Sequence, residues 1–403
     1  MLTGQKIEFN YKDNNYKGIF ISSDDEKTTV KLDNGYNITV RNENIKIKNV
    51  YGNGKKSEDI KIKSIEKHGK NNVCILTTGG TIGSSIDYET GAVKPVKDIS
   101  YLYNYVNNID DYHLSHENID NILSENVNPE KWINFARKAK EKLDNNNSVI
   151  IFHGTDTMQY SASALSFMFE EQTNPIIFTG SQRSSDRPSS DAFTNIEGSI
   201  HFSSTDIGEV GVAMHSGISD NNISLHRGVR VRKMHTSERS AFKTVDNSEI
   251  AVYNNKNIIF NSEYKSTGKN NILNDKLNDN VSLIYFYPGI KEEDFYNTVY
   301  NKDAVIIMGT GLGHVSDSII KTIKKLSKDV HFFMTSQCIY GGVNLNVYST
   351  GRELLKANVI PLYDMLAETA MVKAMYLLAN YNDSFVNLMK TNLRGEINNR
   401  ILW

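Results

Sequence analysis

Three short stretches carry the residue types from which a site could be built. They are Thr77-Thr78-Gly79-Gly80-Thr81, His153-Gly154-Thr155-Asp156-Thr157 and Thr179-Gly180-Ser181-Gln182. Each follows an apolar run that reads as a buried strand: Val73–Leu76, Ser148–Phe152 and Pro175–Phe178. Glycines let a backbone approach a ligand closely, and open α/β sheets keep their sites at the carboxyl ends of parallel strands. Three such ends in successive units, bearing hydroxyls and one carboxylate, point to a single crevice with Thr81, Thr155 and Asp156 at its mouth. A hydroxyl is a weak nucleophile at its own pKa and needs a base or an oriented hydrogen bond to become a good one. A dinucleotide or Walker-type phosphate site does not fit here: the first turn is neither GxGxxG nor a loop closed by Gly-Lys-Ser/Thr, and no acidic residue follows at ribose distance. Taken singly, Gly79-Gly80 could be a plain turn, and Thr81 or Asp156 a cap for the next element.

The elements that must position these residues follow from periodicity. From Val73 onward, apolar strand-like runs alternate with helical ones at Glu130–Leu143 and Met158–Glu171, and a fourth run stands at Val210–Met214. This is the βαβ pattern of a parallel sheet covered on both faces. A second α/β block has strands at Val281–Tyr287, Ala304–Met308 and His331–Thr335 and an amphipathic helix over Asp364–Asn380. Its glycine-rich Gly309–His314 turn is read as tight packing, not as a nucleotide loop. Before all this, up to residue 51, short alternating runs flank Asp33-Asn34-Gly35, a hairpin signal, and predict a small antiparallel barrel. The expected layout is a barrel at 1–51, a linker at 52–72, an α/β domain at 73–262, a linker at 263–280 and a smaller α/β domain at 281–403.

Composition bounds the class. The chain has 403 residues, 39% hydrophobic and 23% charged, with a formal net charge of −2. This suits a soluble globular protein without a broad grip on nucleic acid. The two cysteines, Cys74 and Cys338, lie in apolar runs without metal spacing and are expected to be buried thiols. No signal-like apolar region follows Met1 and no run reaches membrane-spanning length, so the expected location is the cytoplasm.

The segments "TTGGTIGSSIDYETGAV" and "IIFHGTDTMQYSASAL" resemble the two signatures of the L-asparaginase/glutaminase amidohydrolase family, over about residues 72–403. The stretches "TGSQRSSDRPSSDAFTNIEGSI", "HRGVRVRKMHTSERSAF" and "DMLAETAMVKAM", with an amino-terminal barrel carrying "VKLDNGYNITV", are similar to the branch of D-type chains of archaeal glutamyl-tRNA(Gln) amidotransferases. The resemblance implies an asparaginase-like two-part α/β fold. It also implies that a threonine attacks a side-chain amide, forms an acyl-enzyme, releases ammonia and is freed by water. On that reading Thr81 is the nucleophile. Thr155, Asp156 and Lys233 (in "VRKMHTS") form the second catalytic set, and Tyr88 lies on the mobile loop. Ser124 and Glu125, in "ILSENVNPEKW", hold substrate; Asp156 and Glu125 would suit the α-ammonium of an amino acid and Ser124 its carboxylate. Arg183, Arg187 and Asp191 would organise the third turn, and His153 would be a packed histidine. Read without the family, Lys233 belongs to a basic run, Arg227 to Lys233, of a kind that is usually a solvated face.

The resemblance further implies a glutaminase that supplies ammonia for converting misacylated Glu-tRNA(Gln) to Gln-tRNA(Gln). The partner would be the E-type, tRNA-binding chain of the amidotransferase, with a homodimer core inside a heterotetramer. No cofactor is expected in this chain; ATP and Mg2+ would act in the partner. The rivals are a free-standing cytoplasmic L-asparaginase and a binding module that has lost turnover.

Overall fold

The computed structural model describes residues 5–12, 14–32, 37–51, 71–80, 84–86, 93–95, 111–183, 190–217, 222–254 and 257–398. The chain divides into two compact units, Met1–Ile65 and Glu66–Trp403.

In the first unit, β1 (Lys6–Tyr11), β2 (Asn14–Ser23), β3 (Lys27–Leu32), β4 (Asn37–Arg41) and β5 (Lys46–Tyr51) form an antiparallel sheet in the order β4-β3-β2-β1-β5. Alternation places Ile7, Phe9, Phe20 and Val30 in a small core of its own, as a half-buried strand pattern requires. The hairpin expected around Asp33-Asn34-Gly35 is framed by β3 and β4, with Lys31 opposite Asn37; the turn itself lies outside the described residues. The expected barrel is found as an antiparallel sheet with two register shifts, one where Lys48 of β5 is the extra residue opposite Glu8/Phe9 of β1 and one where Ile21 of β2 is the extra residue opposite β3. Such bulges kink a strand. Its edges, β4 and β5, are not paired with each other among the described residues.

The second unit opens with β6 (Asn71–Thr77), a ribbon of β7 (Ser84–Ile86) and β8 (Val93–Pro95), and β9 (Tyr112–Asn118). Then come α1 (Pro129–Asp144), β10 (Ser148–Phe152), α2 (Met158–Met168), β11 (Phe169–Glu171), β12 (Ile176–Thr179), α3 (Ala192–Ser203) and β13 (Val210–His215). The chain continues through β14 (Ile223–Arg227), β15 (Val231–Lys233), β16 (Phe242–Thr244), β17 (Ala251–Tyr253), β18 (Ile258–Phe260) and β19 (Ile272–Leu273). The main sheet runs β18-β17-β14-β13-β12-β10-β6-β9. Strands β9, β6, β10, β12 and β13 are mutually parallel, and β14, β17 and β18 add antiparallel neighbours. Both faces are covered at β6, β10, β12 and β13, which is why these four strands are almost continuously apolar, whereas edge strand β9 is polar. Cys74, Leu76, Val149 and Ile151 face α1 and α2, while Val73, Ile75, Ile150 and Phe152 face α3. Helix α1 starts where Asn128 caps it, its side chain accepting the Lys131 N–H, with Pro129 in the first turn.

One helix boundary differs from the periodicity. The pattern predicts a helix through Glu171, but α2 ends at Met168 and the chain turns into β11, which pairs with β19. Glu171 accepts the backbone N–H groups of Lys269 and Asn270, and Glu170 accepts from Tyr376 and Asn274. These distant partners outweigh the local helix preference of two glutamates.

The last part holds β20 (Val281–Tyr285), α4 (Glu292–Val299), β21 (Ala304–Gly309), α5 (Asp317–Leu326), β22 (His331–Ser336), α6 (Ser349–Lys356), β23 (Ile360–Pro361), α7 (Ala367–Asn380) and α8 (Phe385–Met389). Its strands form a parallel sheet, β20-β21-β22-β23. Helices α4, α5 and α6 cover one face. The other face, with Ala304, Ile306 and Phe333, shares one core with α7, α2 and the main sheet. Helix α7 is therefore buried on nearly all sides, not amphipathic, and it begins at Ala367 because Asp364 is held by Arg230 and Asn398. The expected linker at 263–280 is a fastened connection: Gly208, Thr267, Gly268, Asn274 and Asn278 exchange backbone hydrogen bonds across it. The two α/β parts are accordingly one unit. The Gly309–His314 segment is a packed turn closed by Thr310 and His314 backbone bonds.

Candidate active site

The first turn folds back at once. Thr78 donates from its N–H and its hydroxyl to the Phe152 carbonyl at 3.1 and 3.0 Å, tying the end of β6 to the end of β10. Gly79 and Gly80 then take φ +112° and +87°, a region that side chains with a Cβ avoid. Space demands glycine too: a Cβ at Gly79 would stand 2.4 Å from the Ile122 carbonyl oxygen, and one at Gly80 2.6 Å from the Gly154 nitrogen. The first and second strand-end turns therefore lie backbone against backbone. A Cβ at Gly154 would meet Ser124 Cβ at 2.7 Å, and one at Gly180 the His153 carbonyl oxygen at 2.6 Å. All three turns named by the sequence meet in one place, with Ser124 beside them.

Below the second turn, His153 is buried between Phe135 and Phe178. The Gly154 carbonyl, 2.7 Å from Nδ1, can only accept, so Nδ1 carries the proton. Nε2 then accepts from the Ser161 hydroxyl at 2.9 Å, and Ser161 accepts from Trp132 Nε1–H at 2.9 Å. Burial pushes the ring pKa down to about 4, against the opposing bond to Gly154. His153 is thus the neutral, packed histidine expected, and it holds the turn that presents Thr155. The third turn hangs on buried Asp191, whose carboxylate accepts the N–H groups of Gln182 and Arg183 and the Asn195 amide. Arg187 lies outside the described residues.

The geometry that carries most chemistry belongs to Lys233. Its Nζ donates to Thr155 Oγ1 at 2.9 Å and to Asp156 Oδ1 at 2.8 Å. The lysine side chain is 9% exposed and the aspartate 70%, so the trio runs from a buried cation to an open carboxylate. Asp156 does not cap α2; Thr157 occupies that position, and its hydroxyl instead donates to the Ser124 carbonyl at 2.7 Å. Ser124 is buried in a short 3-10 turn, Ser124–Asn126, and Glu125 beside it is exposed. Thr81 and Tyr88 lie outside the described residues; the sequence places Tyr88 between the paired strands β7 and β8.

Several supporting residues carry no local signal. Lys233 ends β15, which pairs only with β16 in a two-stranded ribbon. Arg230 is buried against Asp364 at 2.7 Å and donates to the carbonyls of Asp364 and Gly395. Arg232 reaches Glu368 at 3.3 Å. These acids lie 134 and 136 positions away, and the basic run read as a solvated face is a row of ion pairs. Cys74 is buried, with its thiol pushed up by burial, whereas Cys338 is exposed, contrary to expectation. The cysteine follows β22, where its N–H reaches Ser336 Oγ past the covered part of the strand. A cavity of about 360 Å³, lined by Arg227, Glu209, Lys265 and Arg394, is not part of the crevice. Among the described residues no group of three or more His, Cys, Asp or Glu is arranged to hold a metal ion, and no helix is long and apolar enough to cross a membrane.

Comparison with known proteins places these features. Residues 72–266 match the family model "Asparaginase, N-terminal", 280–385 the "Glutaminase/Asparaginase C-terminal domain" and 1–50 the "GatD N-terminal domain". Curated relatives named as the D chain of glutamyl-tRNA(Gln) amidotransferase include one from Thermoplasma volcanium, 48% identical over 99% of this chain and 98% of its own length. Another, from Sulfolobus acidocaldarius, is 44% identical over 98% and 91%. Among solved structures, a thermostable L-asparaginase from Thermococcus kodakarensis superposes with TM-score 0.75 at 28% identity, covering 82% of this chain and all of its own. L-asparaginase I from Vibrio cholerae gives 0.70, also at 28% identity, over 81% and 99%.

Proposed function

The chain belongs to the GatD family, the D-type chains of glutamyl-tRNA(Gln) amidotransferases, built on the glutaminase/asparaginase fold, and from that premise we propose how its own residues hydrolyse glutamine. It is a glutamine amidohydrolase working within an amidotransferase, a carbon–nitrogen ligase with glutamine as amide donor. The ammonia it frees converts misacylated Glu-tRNA(Gln) to Gln-tRNA(Gln). The observation that carries the chemical reading is Lys233 bridging Thr155 and Asp156 at 2.9 and 2.8 Å beside the Gly79-Gly80 turn.

In this mechanism the Thr81 hydroxyl attacks the side-chain amide carbon of glutamine. Backbone N–H groups of the glycine-bearing turns hold the oxyanion. Collapse of the intermediate breaks the C–N bond as the proton given up by the Thr81 hydroxyl passes to the amide nitrogen, which leaves as ammonia, and glutamate stays esterified to Thr81. Water, polarised by Thr155, hydrolyses the ester. Lys233 orients the Thr155 oxygen and Asp156 holds the lysine, so the three act as one coupled unit. Asp156 and Glu125 receive the substrate's α-ammonium, and Ser124 with turn amides its α-carboxylate. Tyr88, between β7 and β8, closes over the site. Loop closure excludes water and completes a catalytic set, so a glutaminase that must not waste glutamine is expected to be slow until its partner and Glu-tRNA(Gln) bind.

The partner in this reading is the E-type, tRNA-binding chain, assembled in the cytoplasm with a dimer of this chain as a heterotetramer. ATP and Mg2+ serve the partner's activation of the glutamyl ester. The test is steady-state glutaminase kinetics on the isolated chain, the complex with its partner, and the complex loaded with Glu-tRNA(Gln). The expected kcat rises along that series. Equal kcat in all three, with good asparagine turnover by the chain alone, would instead describe a free-standing L-asparaginase.

A further inference from the structure

The ribbon that carries Lys233 cannot position it unaided. Strands β15 and β16 are three residues each and among the described residues pair only with one another, and a two-stranded ribbon by itself is at best marginally stable. What fixes it is the burial of Val231, Ala241 and Phe242 in the main core and a series of anchors on the residues leading to the lysine. The Gly228 carbonyl accepts from Ser163, and the Val229 carbonyl from Thr369. Arg230 is clamped by Asp364, and Arg232 by Glu368. All but the first come from the loop before α7 or from its first turn.

The two clamps are unequal. Asp364 is fully used: one oxygen accepts Arg230 at 2.7 Å and Asn398 Nδ2, the other the Asn398 N–H. Glu368 is buried as deeply, yet its only ion pair among the described residues is at 3.3 Å, longer than a normal charge-assisted bond. Its Oε1 is buried without a hydrogen-bond partner among the described residues. A desolvated carboxylate left half-satisfied is costly and is retained where it does something. Burial raises its pKa, and Arg232 and the residue's own backbone N–H oppose the rise. The half-satisfied clamp sits on the residue next to Lys233.

We propose that Glu368 is a positioning residue for glutamine hydrolysis: through Arg232 it sets the end of the ribbon so that Lys233 bridges Thr155 and Asp156. The inference rests on the catalytic role given to Lys233 above. Through this clamp the first turn of α7 reports to the catalytic centre, so the carboxy-terminal part tunes turnover without touching substrate.

The experiment compares the full chain with Lys233→Met, Glu368→Gln, Arg232→Met and the Glu368→Gln/Arg232→Met double variant, assaying glutamine hydrolysis in the assembled complex and thermal unfolding of each. Glu368→Gln is expected to lower kcat about tenfold with KM changed less than about twofold, because misplacing a catalytic group costs turnover more than substrate binding. The double variant should be no worse than the poorer single, since both break one clamp. Arg232→Met, at a partly exposed side chain, carries the same expectation if Glu368→Gln does not fold. Full kcat in these variants while Lys233→Met is inactive overturns the positioning role alone. A fall in kcat that only follows the fraction of folded protein does the same. An active Lys233→Met overturns the functional reading beneath it.

Discussion

Between Arg227 and Lys233 four cations each meet a different acid: Arg227 with Glu209, Arg230 with Asp364, Arg232 with Glu368 and Lys233 with Asp156. Among the described residues only the last pair also holds a hydroxyl, and on the proposed reading this makes it chemical as well as structural. Thr81→Val keeps the volume of the side chain and removes its hydroxyl; it is expected to abolish glutamine hydrolysis with an unchanged circular dichroism spectrum. Lys233→Met and Asp156→Asn should each be severely impaired and their combination little worse than either, because groups acting as a unit are not additive. Fully additive losses in that kinetic cycle would sink the coupled trio. Two buried imidazoles make a separate prediction. Burial pushes His153 down to about 4 and His226 to about 3. The unfolded chain, with ordinary histidines, therefore binds protons first as pH falls. The stability these rings contribute is full above about pH 6.5 and is lost as pH drops toward their folded values, at up to about 2.7 kcal/mol per pH unit for the two together. Chemical denaturation between pH 7 and 5, above the range of most carboxylates, reads this slope; a flat profile there would refute it.

At the scale of elements, the glycines of the first two turns are contacts as much as hinges. Gly80→Ala is expected to lower kcat about a hundredfold by prising the turns apart at Gly154, since misplacement near 1 Å can cost that much. Gly289 supplies the control. It has a similar φ, +90°, but open space around it, so Gly289→Ala should cost about 1 kcal/mol in denaturant unfolding and leave kcat alone. Equal effects of the two would mean that backbone strain, not the meeting of turns, is what Gly80 relieves. The strands around these turns were legible because burial on both faces writes an unbroken apolar run. The end of α2 was not, because Glu170 and Glu171 look helical until Tyr376 and the backbone at Lys269 and Asn270 claim them.

At the scale of the molecule, the carboxy-terminal segment binds the two α/β parts of the second unit. Lys373 of α7 and Glu396 are both fully buried and paired, the lysine also donating to the Met389 and Thr391 carbonyls. Glu396 accepts the N–H groups of Leu393 and Arg394. Lys373→Met strands a buried carboxylate and should cost about 3–5 kcal/mol in chemical denaturation; adding Glu396→Gln should restore part of it. A single variant as stable as wild type would show that the pair does not secure the segment. What the sequence determined by itself was the local grammar: strand faces from alternation, turns from glycine and hydroxyl clusters, and the residue types of Thr155, Asp156 and Lys233 in family order. These are encoded within a few neighbours, where periodicity and backbone sterics act. Tertiary structure alone decided which acid meets which cation, that Gly80 touches Gly154, and that the connection at 263–280 is fastened so that both α/β parts share one core. Ion pairs and close contacts between distant positions, from 18 apart for Arg227 and Glu209 to 136 for Arg232 and Glu368, leave no mark on local spacing, because only packing brings such groups within reach.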